Sequence, residues 1–453
     1  MANCRQCGTK LPSLTFGEAS PYCKTCRSQI VSGHSPDTTD SLAQPPQAAV
    51  ASKATPATYV LLAINIAIFL IMIARGVDWM QPASDQLLSW GADYGPYTLD
   101  GQYWRLITSM FLHFGIIHIL GNMWCLWSLG RLAEDLIGSP AVVGIYLLTG
   151  IGASLLSLSW DPMRVSAGAS GAIFGIAGAL ITVLYYGKHD LPKENVRHLL
   201  GYVVRFSLLN LLFGLKAHVD NMAHVGGLVT GLVIGLFLAR SFNVAPEERP
   251  ARHRMILAIS AAVLIMLFVP IARAKQYAVD FGKGVTAFDH NEMNTAIEHL
   301  QKYTAARPDD ANGHELLGSA FQRANRLDEA AHEFERGLVL DPDDPDTQIN
   351  LAKIYAYQKR TLDALVLFRK AISRVEPDAS IYYMYAYALK DEGRGGEAEE
   401  MVRRAIRLEP KNGDAHRLLA EILRLENKNI EAAAESKRAE DLAKDKAATD
   451  ASE

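Results

Sequence analysis

No apolar stretch precedes Tyr59 in this chain of 453 residues, so a cleaved secretory leader is not expected. The first greasy run should instead stay as an anchor. There is no surplus of positive charge either. Forty-five lysines and arginines stand against 49 aspartates and glutamates, a formal net charge of −4, which supplies no basic field for nucleic acid. Cysteine is scarce, with five residues in all, and four of them fall within the first 26 positions. Charge is scarcest between about residues 58 and 272, where Leu, Ile, Val and Ala crowd.

That apolar region divides into seven runs, roughly 58–74, 115–133, 141–159, 168–186, 198–215, 222–240 and 255–272. Most have the 17 or more residues needed to cross about 30 Å of hydrocarbon. Seven such runs, with few charges inside them, are hard to house as buried helices of a soluble protein. The expectation is a polytopic protein of the lipid bilayer, all-α in its core. Arg131, Lys188, Lys193, Arg197, Arg240, Arg249, Arg252 and Arg254 lie near or after the ends of the second, fourth and sixth runs. Fewer basic residues, spread more thinly, serve the other side. The richer side should be cytoplasmic. The N-terminus is then inside and, after seven crossings, the C-terminal part outside. A polar N-terminus without transit character suits a bacterial plasma membrane.

Polar residues inside such runs are costly, and each is a functional candidate. The second run holds His118 and Asn122, the fourth opens with Ser170, and the sixth carries His224 near its start. All three enter from the outer side, so these residues share one level. Gly171, Gly175 and Ala179, and likewise Gly227, Gly231 and Gly235, recur every four residues, a spacing that lets two membrane helices pack backbone to backbone. Packing alone would explain the small residues but not a serine and a histidine at matched height. Imidazole suits the task of taking a proton from a serine hydroxyl near neutral pH. His118 and Asn122 are four apart on one helix face, and both can donate hydrogen bonds to an oxyanion. On their own they would read as interhelical hydrogen-bonding groups; beside Ser170 and His224 they read as catalytic donors.

These residues resemble the rhomboid family of intramembrane serine proteases over about 57–240. The resemblance rests on Gly168-Ala169-Ser170-Gly171, on Ala223-His224 followed by Gly227, and on His113 and His118 with Asn122. Tyr103-Trp104-Arg105 and Gly130-x3-Glu134-x3-Gly138 belong to it as well. It implies a Ser170–His224 dyad without a third acid, needing no cofactor, that cuts transmembrane substrates near their outer ends. It also implies an oxyanion hole of His118, Asn122 and the Ser170 amide, with Phe174 against the catalytic imidazole. His113, Trp104, Arg105 and Glu134 read as scaffold. A silent relative that escorts transmembrane helices would lack Ser170 or His224. A transporter would need ionisable groups at mid-membrane.

Two appended segments complete the chain. Cys4-x2-Cys7 and Cys23-x2-Cys26 have the spacing of a four-thiolate structural zinc ribbon over 1–27, and reduced cytoplasmic thiols favour metal over disulfides. Residues 28–57 read as a flexible linker. The core spans 58–240, and 241–276 hold a cytoplasmic loop and the seventh crossing. Beyond these, Ala296, Ala330, Ala364, Ala398 and Ala432 are each 34 apart, as are Gly284, Gly318, Ala352, Ala386 and Ala420. A 34-residue period with two small-residue columns resembles tetratricopeptide repeats, an α-solenoid over 277–443. Such a surface is expected to hold a protein or peptide partner. A frayed tail is expected from 444 to 453.

Overall fold

The computed structural model describes residues 54–188, 191–216, 219–374 and 378–450. Cys4, Cys7, Cys23 and Cys26 therefore lie outside the described residues, as does nearly all of the linker. What is described is helical. The one β-bridge among these residues is an isolated antiparallel pairing of Asp93 with Ser166.

Each apolar run has become a helix. The first is α1, Pro56–Ala74. A loop follows with three short helices, α2 Ser84–Trp90, α3 Gly95–Thr98 and α4 Arg105–Thr108. Then come α5 Ile116–Ile137, α6 Ser139–Trp160, α7 Ser170–Tyr186, α8 Lys193–Lys216, α9 Asn221–Ser241 and α10 Arg249–Ala274. Four of these, α1, α6, α9 and α10, are long and apolar enough to cross a bilayer on their own. Helix α5 qualifies together with Arg105–Phe111, from which it is bent by 94°. Helix α7 is apolar but has 17 residues. Helix α8 opens on charged residues, Lys193, Glu194 and Arg197, and carries Arg205 further along.

Glycine decides how α7 and α9 meet. A methyl group on Gly227 would collide with the Gly171 carbonyl oxygen, and one on Gly231 with that of Gly175. One on Gly235 would stand 2.6 Å from the Cα of Ala179. The two stripes thus face each other in register, as small-residue membrane interfaces do. Around them Leu126, Ile145, Tyr146, Ile173, Ile176 and Leu180 form the buried core.

Glu134, near the end of α5, caps the start of α1. Its carboxylate accepts from the Ala57 and Thr58 amides at 2.9 Å each, from the Thr58 hydroxyl at 2.7 Å and from the Ser139 hydroxyl at 2.6 Å. Arg105 donates to the Leu88 and Ala92 carbonyls at 2.8 and 2.9 Å and so pins the long loop. Both are scaffold, as expected.

Helix α10 runs alongside α6 in the same direction. A side chain at Gly144, early in α6, would strike Leu257, early in α10, while Leu264 packs with Leu155 and Leu158 near the far end of α6. The solenoid therefore begins on the face from which α7 and α9 enter. It consists of five helix pairs: α11 Gln276–Asp289 with α12 Met293–Ala306, α13 Ala311–Arg323 with α14 Leu327–Leu340, α15 Pro345–Tyr357 with α16 Thr361–Ile372, α17 Ala379–Asp391 with α18 Gly395–Leu408, and α19 Gly413–Leu425 with α20 Asn429–Asp450. The alanine columns are fully buried, and side chains at Gly284 and Gly318 would meet Leu300 and Phe334 at 2.7 and 2.8 Å. The last helix, α20, runs to Asp450.

Candidate active site

Three helix starts build the site. Helix α7 begins at Ser170, after Gly168 at φ +140°, a conformation that side-chained residues rarely adopt. Its N-cap, Ala169, offers no side-chain acceptor, so the first-turn amides, that of Ser170 included, have no side-chain cap. Helix α9 begins after Asp220. That carboxylate accepts from the Ala223 amide at 3.0 Å and from the Ser157 hydroxyl of α6 at 2.5 Å, which fixes the height of His224 one turn on. Helix α5 begins after Gly115 at φ +98°, and the Ile116 amide donates to the Trp79 carbonyl at 2.9 Å.

These starts bring Ser170 and His224 together. The His224 Nε2 lies 2.8 Å from the Ser170 Oγ. The imidazole is 5% exposed and stacks on Phe174, with ring centroids 4.5 Å apart and planes inclined by 18°. Its Nδ1 has no hydrogen-bond partner among the described residues, so no acid there completes a triad. For Nε2 to take the hydroxyl proton, the ring's own proton must sit on Nδ1.

The opposite wall is His118. Its Nδ1 accepts from the Phe114 amide at 3.2 Å, which leaves Nε2 to carry the proton and donate. The space that a side chain on Gly168 would fill lies 3.2 Å from that Nε2 and 3.6 Å from the Ser170 Oγ. Glycine thus keeps open a spot within reach of both a nucleophile and a donor. Asn122, one turn along α5, is buried with its side-chain amide nitrogen unpartnered among the described residues. His113 is fully buried against His118, ring centroids 5.3 Å apart, and both its nitrogens lack partners among the described residues.

A second serine–histidine contact shows what distinguishes the first. Ser241 Oγ lies 2.7 Å from His253 Nε2, but its single proton goes to the Leu238 carbonyl at 2.6 Å. That hydroxyl accepts from the imidazole and ties α9 to α10; it has no proton to give.

Sequence reasoning missed the supports of this site. Asp220 and Ser157 were unremarked, although Asp three residues before an amide it caps is a recognisable helix-start signal. The Asp93–Ser166 bridge carries no sequence signal, because it is made by backbone atoms.

Residues 100–241 match the Rhomboid domain, and 281–345, 315–381 and 355–422 match tetratricopeptide repeats. The rhomboid protease GluP of Bacillus subtilis is 29% identical over 315 residues, covering 68% of this chain and 60% of that protein. RHOMBOID-like protein 6, mitochondrial, of Arabidopsis thaliana is 37% identical over 38% of this chain and 56% of its own length. The chain therefore spans under two thirds of the length of either. It spans 80% of the rhomboid protease AarA of Providencia stuartii, to which it is 30% identical over 233 residues. Among solved structures, MamA from Desulfovibrio magneticus RS-1 matches 37% of this chain and 96% of its own at 16% identity and TM-score 0.36. The similarity to AarA spans most of that protein, and it joins the domain match that contains both Ser170 and His224: this chain is a multi-pass membrane protein and belongs to the rhomboid family.

Proposed function

We propose that the chain is an intramembrane serine endopeptidase acting on transmembrane segments of other membrane proteins. One observation carries the reading, the 2.8 Å contact between His224 Nε2 and Ser170 Oγ beside the space kept open by Gly168. His224 takes the hydroxyl proton as Oγ attacks the peptide carbonyl carbon. The oxyanion is met by His118 Nε2–H, the Asn122 amide and the Ser170 N–H. The tetrahedral species collapses, His224 gives its proton to the departing amine, and an acyl-enzyme remains on Ser170. Water, deprotonated by the same imidazole, hydrolyses it and frees the hydroxyl.

The outer ends of substrates are the sites of cleavage in this reading, in a bacterial plasma membrane with the N-terminus cytoplasmic and the solenoid outside. The solenoid recruits a substrate or a protein partner. Cys4, Cys7, Cys23 and Cys26 hold one structural zinc, a proposal on spacing that metal analysis of the purified chain checks at one zinc per molecule. The decisive experiment is reconstitution in liposomes with a transmembrane substrate. Wild type should cleave it and Ser170→Ala should not, with a fluorophosphonate probe labelling wild type alone. Equal cleavage by both would leave a silent, helix-binding relative as the reading.

A further inference from the structure

The solenoid is not merely tethered to the membrane core. Val279 on α11 shares a buried cluster with Leu99, Leu106, Leu155, Leu158 and Leu264. Gly282 lies so close to α3 that a methyl group on it would stand 2.7 Å from the Pro96 Cβ and 3.2 Å from its carbonyl oxygen. Lys283 Nζ pairs with Asp100 at 3.1 Å.

The segment that receives these contacts is the one that holds the catalytic loop. Asp93 and Ser166 exchange two backbone hydrogen bonds of 2.9 Å, and the Gly95 amide donates to the Pro162 carbonyl at 2.8 Å. The Asp93 carboxylate accepts from Thr98 Oγ1 at 2.6 Å, which locks the end of α3 to the bridge. Ser166 stands two residues before Gly168, whose amide is held by the Ser109 carbonyl at 2.9 Å, and four before Ser170. From Gly282 to Ser170 there is a continuous set of packed and hydrogen-bonded groups.

We propose that the first repeat is a positioning part of the catalytic unit: the seat of Gly282 and Lys283 on Pro96 and Asp100 sets, through the Asp93–Ser166 bridge, where Gly168 and Ser170 stand. The proposal rests on the protease reading. It differs from recruitment, because it makes the solenoid matter for substrates that the solenoid never touches. Small displacements of reacting groups are expensive, a shift of about 1 Å costing on the order of 100-fold.

The test uses the full chain in liposomes and a substrate that is a bare transmembrane segment with short polar ends. Gly282→Leu should lower kcat about 10-fold or more with KM within about 2-fold, and the rate of fluorophosphonate labelling at Ser170 should fall in parallel. Lys283→Glu should lower kcat about 2- to 5-fold, since an exposed ion pair is weak, and the double variant Lys283→Glu with Asp100→Lys should recover it. Recovery on charge exchange separates the contact from misfolding at Gly282. Wild-type kcat in Gly282→Leu, or a defect confined to KM, overturns the proposal. If wild type itself neither cleaves the segment nor is labelled at Ser170, the protease reading fails and this proposal falls with it.

Discussion

Asn122 carries an amide nitrogen that is buried and unpartnered among the described residues. A donor in that state costs stability unless something arrives to accept from it. An oxyanion on the substrate would do so. Asn122→Ala is expected to lower kcat by about 100- to 1,000-fold with little change in KM. An unchanged kcat would return Asn122 to helix packing. Asp93, in the loop before α3, is a second residue with a measurable signature. Burial raises its pKa from 3.8 to about 6, while the Thr98 hydrogen bond pulls the other way. The native loop therefore keeps a proton that the unfolded chain releases between about pH 4 and 6. More protons bound in the folded state means that stability falls as pH rises through that window and is flat above it. Wild type should lose on the order of 2–3 kcal/mol relative to Asp93→Asn between pH 4 and 7. Parallel unfolding curves for the two would mean that the carboxyl is not held as described.

At the scale of elements, periodicity was informative and backbone conformation was not. The seven apolar runs became helices because lipid-facing and core-facing residues leave long unbroken signals, and the alanine columns at 34-residue spacing became buried helix contacts. The matched level of His118, Ser170 and His224 was readable because each stands at a helix start. Three short helices between Ser84 and Thr108 left no such trace, since four to seven residues make no period. Another column went unread. Asn291, Asn325, Lys359, Gly393 and Asn427, again 34 apart, all have φ between 60° and 72°. Each turns the chain between the two helices of a repeat, and all but Lys359 are residue types that tolerate this region. The lysine is expected to be the strained member. Lys359→Asn should stabilise the solenoid by about 0.5–1 kcal/mol, less whatever its exposed pair with Asp391 contributes. A lower melting temperature in that variant would show that the ion pair outweighs the backbone cost.

At the scale of the whole molecule, α10 connects two structures that sequence reading kept apart. Its parallel course beside α6 delivers the solenoid to the face that holds Ser170 and His224. A reporter fused after residue 280 should therefore read as extracytoplasmic if the dyad opens outward. A cytoplasmic readout would reverse the orientation of the entire bundle, site included, because the two ends of α10 are fixed against α6. The docking of α11 on α3 was invisible in the sequence, since it joins a glycine and a lysine to a proline and an aspartate more than 180 positions away.

The carboxylate of Glu134 bears on how the chain is made. It satisfies the amides of Ala57 and Thr58, which leave the ribosome more than 70 residues before it. Until the second crossing has been synthesised and has returned to the side on which the first begins, the opening turn of the first stays uncapped. The pair must mature together, so translation paused between them would leave an insertion intermediate that quality control could recognise.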